Sequence, residues 1–100
     1  MADIKTQVGH IKNEIDRIKS YIDSKKKSID SLKGNKKRIG ERYKGQISRA
    51  DKNEKEKLRS RKQHELSSID KEILSLKRTV ENYKSDILKK RQEISKLKKK

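Results

Sequence analysis

Apolar residues recur along this chain at alternating steps of four and three, and no proline interrupts them anywhere in its 100 residues. From Ile4 the row runs through Val8, Ile11, Ile15, Ile18, Ile22, Ile29, Leu32, Ile39, Tyr43 and Ala50. An apolar residue roughly every 3.5 positions draws one narrow stripe along a helix, and only a second helix laid against that stripe takes it out of water. A second row, Leu66, Ile69, Ile73, Leu76, Val80, Tyr83, Ile87, Ile94 and Leu97, repeats the pattern. With Val8, Ile15, Ile22 and Ile29 at heptad position a, the d residues are Ile4, Ile11, Ile18, Leu32 and Ile39. Lys25, Lys36 and Gln46 interrupt the first row, and Lys90 interrupts the second.

The two rows are out of step by two residues, so the pattern breaks between Ile47 and Arg59. A break of that size is met either by a turn that folds the helices into an antiparallel hairpin, or by a skip within one continuous helix that dimerises in parallel. Asp51 followed by Glu54 has capping-box spacing, and Asn53 beside them is a turn former. The expectation is an all-α chain: helix about 3–50, turn about 51–54, helix about 55–98, with residues 1–100 forming one coiled-coil unit.

Register follows from pairing an a residue with a d residue whose number adds with it to a constant. A total of 105 pairs Val8 with Leu97, Ile22 with Tyr83, Ile29 with Leu76, Leu32 with Ile73 and Ile39 with Leu66; a total of 98 does nearly as well. Flanking charges favour the parallel dimer instead, in which Glu14 faces Lys19, Glu72 faces Lys77 and Asp86 faces Arg91. In the hairpin Lys12 approaches Arg91, Lys19 approaches Lys84 and Lys26 approaches Lys77. Exposed charge pairs are worth about 0–1 kcal/mol each. Burying a large apolar side chain is worth about 1.5–3 kcal/mol in either topology, so the turn signal decides for the long two-helix antiparallel coiled-coil hairpin. The parallel coiled-coil dimer is the alternative. A turn near Gly34 to Gly40 would waste Ile39 and Tyr43.

Composition agrees with a thin structure: 27% of residues are hydrophobic and 46% charged, with no Trp or Phe, too little to build a thick globular core. Without cysteine there is no disulfide, thiolate metal site or thiol chemistry. No long apolar run marks a transmembrane segment or a signal peptide, and the default expectation is a cytoplasmic protein. His10 and His64, the only histidines, fall at outward heptad positions away from any carboxylate cluster. The reading is therefore not an enzyme, with no catalytic residues, no metal and no cofactor.

The formal net charge is +16, shared equally between the halves (14 basic against 6 acidic residues, then 17 against 9). Such a chain attracts acidic proteins, nucleic acid and other polyanions. Leu74 and Leu88 are apolar at b positions outside the two-helix seam and widen the apolar face of the second helix. With Lys77, Lys84 and Arg91 they form the candidate docking edge for an acidic or helical protein partner, or for self-association. In the hairpin, Lys5, Lys12, Lys19, Lys26 and Lys33 would share that edge.

The strongest charge run, 33–62, holds thirteen basic residues against Glu41, Asp51, Glu54 and Glu56, a net +9, and in a hairpin it is the tip. Lys36, Lys37, Arg38, Arg42, Lys44, Arg49, Arg59, Arg61 and Lys62 are its candidate polyanion-binding residues. Tyr43 is the only aromatic there, so contact with nucleic acid would be to backbone charge and not to bases.

The functional expectation is a structural or adaptor coiled-coil protein that docks an acidic or helical protein. Sequence-nonspecific nucleic-acid binding through the tip is one alternative. A small helical escort of a secreted protein is another, although the chain has no Trp and so lacks the W-x-G elbow of small secreted helical hairpins. Membrane adhesion is disfavoured because the apolar residues are committed to the seam.

Overall fold

The computed structural model describes residues 3–99; Met1, Ala2 and Lys100, the outer ends of the expected unit and of its basic C-terminal tail, lie outside the described residues. Two helices account for nearly all of it: α1 (Ile4–Arg49) and α2 (Lys52–Lys99). The fold is an all-α helical hairpin. Neither helix contains a proline, and the glycines do not end α1: Gly34, Gly40 and Gly45 are helical, with no positive φ. The alternative turn at Gly34–Gly40 is thereby excluded, and so is the continuous helix, because α1 stops at Arg49 and the two helices pair with each other.

The connection is tighter than the expected 51–54. Only Ala50 and Asp51 lie between the helices. Lys52, Asn53 and Glu54 already belong to the first turn of α2, because Asp51 caps it: the Glu54 amide donates to Asp51 Oδ1 at 2.9 Å, and the Lys55 amide donates to the Asp51 carbonyl at 2.9 Å. An aspartate at this position satisfies an otherwise orphaned helix donor and places negative charge at the positive end of the helix dipole. On the other side the Ala50 amide closes α1 onto the Ile47 carbonyl.

Contacts sort the chain into two compact units. Unit 2, residues 27–76, is the hairpin closed by this turn; in unit 1 the outer ends, α1 up to Lys26 and α2 from Lys77, pair with each other. In unit 1 Val8, Ile15, Ile22, Val80 and Ile87 are buried, and Ile11, Ile18, Tyr83, Ile94 and Leu97 are half-buried. In unit 2 Ile29, Tyr43 and Ile73 are buried, and Leu32, Ile39, Leu66, Ile69 and Leu76 are half-buried. Ile4, expected in the seam, is 45% exposed, because it opens α1 where no further turn of helix shields it.

Cross-helix contacts fix the register within each unit. In unit 1 Glu14 meets Lys90 and Tyr21 meets Tyr83, pairs whose numbers total 104. In unit 2 Lys36 meets Asp70 and Arg42 meets Glu65, totalling 106 and 107. These values surround 105 and exclude the alternative of 98.

Candidate functional site

The seam of unit 2 thins toward the turn, and polar residues take over its positions. Lys36 is half-buried there, and its Nζ reaches Asp70 Oδ1 on α2 at 2.7 Å. Arg42 crosses to Glu65 at 2.9 Å while its guanidinium lies 5.1 Å from the centre of the buried Tyr43 ring. Two of the nine candidate cations are therefore held by acids of the opposite helix, where they tie α1 to α2. Among the described residues, Lys37, Arg38, Lys44, Arg49, Arg59, Arg61 and Lys62 have no acidic partner within salt-bridge distance.

Five of these seven cations line two grooves, and Arg38 and Arg59 line neither. One is lined by Lys37, Gly40, Glu41, Lys44, Ile47, Ser48 and Lys62, so three ammonium groups from both helices surround a floor of glycine and isoleucine. The other is lined by Gln46, Arg49, Ala50, Glu54, Leu58 and Arg61 and brings together two guanidinium groups. Ile47 and Leu58 are half-buried beside the turn. Neither is among the seam residues foreseen from the sequence, although their numbers total 105, which is the signal that identifies them.

Along α2 the docking candidates are exposed as expected: Leu74 is 50% and Leu88 58% accessible, and Lys77, Lys84 and Arg91 are exposed. Lys84 makes a long 3.5 Å ion pair with Glu81 one turn away. Tyr21, unremarked in the sequence, is 51% exposed and packs its ring on Tyr83 with centroids 5.7 Å apart and planes tilted by 36°.

Lys90, the polar interruption of the second row, donates a hydrogen bond to Glu14 of α1. That hydrogen bond, and then the Lys90 charge, hold the Glu14 carboxyl below its ordinary value of 4.5. The same hydrogen bond lifts Lys90 above 10.5. A depressed acid stabilises the fold above its unfolded pKa and loses that contribution as pH falls through the folded pKa. A raised lysine contributes below its unfolded pKa and loses that contribution as pH rises through the folded one. The pair thus contributes fully at neutral pH and fades on both sides. In an NMR titration the Glu14 carboxyl is expected to have its midpoint below 4.5, and Lys90→Met to raise that midpoint. A Glu14 midpoint unchanged by Lys90→Met would show that the contact does not persist in solution.

Among the described residues no group of His, Cys, Asp or Glu side chains is placed to hold a metal ion, and no helix is long and apolar enough to cross a membrane. His10 and His64 are both exposed. No known protein family, curated protein or solved structure matches the chain.

Proposed function

We propose that this chain is a non-enzymatic structural or adaptor protein, an antiparallel coiled coil in which α2 offers its outer face to an acidic, helical protein partner. Among the described residues, all the buried ones are hydrophobic seam residues, so the interior is committed to joining the helices. The observation that carries the reading is the exposure of Leu74 and Leu88, each with cations one helical turn away. Lys71 and Lys77 lie three residues before and after Leu74; Lys84 lies four before Leu88 and Arg91 three after it.

A leucine set between cations suits a helix whose apolar stripe is edged with glutamate and aspartate. The leucine supplies affinity, about 1.5–3 kcal/mol if fully covered. The charges act mainly on encounter rate and orientation.

The test is fluorescence anisotropy with a synthetic acidic amphipathic helix bearing leucine at heptad spacing. Leu74→Ser combined with Leu88→Ser is expected to weaken binding about 10-fold or more, while Arg38→Glu with Arg49→Glu leaves it largely intact. Equal binding by the serine variant would reduce the interaction to bulk charge and refute the reading.

A further inference from the structure

We infer that the tip of unit 2 is a second, separate binding site, one that grips the phosphodiester backbone of double-stranded nucleic acid. The first support is the sorting of its cations. Lys36 and Arg42 are neutralised by Asp70 and Glu65, whereas Lys37, Lys44 and Lys62 converge on one groove and Arg49 and Arg61 on the other. Each groove holds a single carboxylate, Glu41 in the first and Glu54 in the second, so both keep an excess of positive charge.

Spacing suits a regular polyanion. Lys37 and Lys44 stand two turns apart on α1, about 10.5 Å along the helix axis. Along the duplex axis one strand advances about 3.4 Å per phosphate, so with α1 parallel to that axis the pair spans about three phosphates. Gly40 lies between them in the groove, and a Cβ built there meets nothing within 4 Å, so the floor is open to a close-lying backbone.

What the tip lacks separates duplex backbone from other anions. The exposed large hydrophobic residues among those described are Ile4, Tyr21, Leu74 and Leu88, none of them within 33–62. A protein partner or a bilayer would find no exposed large apolar side chain at the tip, only the half-buried Ile47 and Leu58 in the grooves, so its binding would rest mainly on charge. Tyr43, the one aromatic, is 5% exposed beneath Arg42 and cannot stack on an unpaired base, the contact on which single-strand binding depends. Dense phosphate charge recognised without base contacts is what remains.

The experiment titrates the whole chain into a labelled duplex of about 20 base pairs, and into a single strand of equal length, from about 0.05 to 0.3 M salt. Five contacting cations predict a slope of log K against log salt of about −4.5. Lys37→Glu/Lys44→Glu/Lys62→Glu is expected to lose about 50-fold or more in affinity and to flatten the slope by about 3. A charge-matched control in unit 1, Lys5→Glu/Lys12→Glu/Lys98→Glu, loses less than about 5-fold.

Because Lys62 is half-buried, a second variant replaces only the exposed Lys37, Lys44, Arg49 and Arg61 with glutamine, and circular dichroism confirms that each variant is helical. Leu74→Ser/Leu88→Ser leaves duplex binding unchanged, so failure of the adaptor reading and failure of this one are seen separately. Three results would each overturn the inference: equal losses in the tip and control variants, a single strand bound as tightly as the duplex, or phosphatidylserine vesicles bound with the same dependence on the tip.

Discussion

Ile73→Asn abolishes most of the helical signal at temperatures where the native chain is fully folded. Ile73 is 8% exposed, and its seam neighbours Ile29, Leu32, Ile69 and Leu76 are apolar, so the new amide has no partner there. The substitution forfeits the isoleucine burial, about 1.5–3 kcal/mol. It also leaves an unsatisfied amide, a further cost of about 1–3 kcal/mol. A domain of this length has roughly 5–15 kcal/mol to lose. At about 4–8 °C per kcal/mol the melting temperature drops by about 10 °C at the least and, at the upper end, by more than 30 °C. A melt within a few degrees of the native one would show that the seam is not the source of stability. Leu88→Ala, on the exposed face, is the control and changes stability by no more than about 0.5 kcal/mol.

The second large effect runs in the opposite direction. Gly34, Gly40 and Gly45 are all helical, none has positive φ, and a Cβ added at any of them meets nothing within 4 Å. Each is worth about 0.8–1 kcal/mol on replacement by alanine. The sites are five or six residues apart on a solvent-facing helix, so the gains add to within a few tenths of a kcal/mol. The triple alanine variant is expected to gain about 2.5 kcal/mol and to melt about 10–20 °C higher. No gain, or a loss, in a thermal melt would mean that this stretch of α1 is not helical in solution. Duplex binding by Gly40→Ala alone reports on the groove: an added methyl on its floor weakens contact if the phosphate chain lies there.

The periodic parts of this fold were legible because period and burial are the same information. The heptad spacing of Val8, Ile15, Ile22 and Ile29 put these residues on one line, and all four are buried; Ile73, Val80 and Ile87 repeat this on α2. Register was legible down to one heptad, and what separated 105 from 98 was side-chain reach, such as Lys90 to Glu14, which spacing alone does not encode. The sequence suggests a turn three residues too long, because Asn53 is a turn former and draws in its neighbours Lys52 and Glu54, which are good helix formers by propensity. They become helical once Asp51 supplies the missing acceptor. Ile47 and Leu58 lie where the row of apolar residues lapses, so periodicity alone does not mark them as seam residues. The pairing of Lys36 and Arg42 was equally hidden, since on sequence alone they read as two more cations in a basic run.

The two-residue connection also sets an order of events. Arg42 and Glu65 are separated by 23 residues, Lys36 and Asp70 by 34, and Glu14 and Lys90 by 76. Closing the longest of these loops from the unfolded chain costs about 1 kcal/mol more in entropy than closing the shortest. Zipping from the turn outward is therefore the favoured route. It must begin where the seam has fewest apolar residues, where three glycines soften α1 and where thirteen cations crowd together. Repulsion among these cations therefore adds to the kinetic barrier, and salt or a bound anion is expected to speed folding by letting the first turns meet sooner.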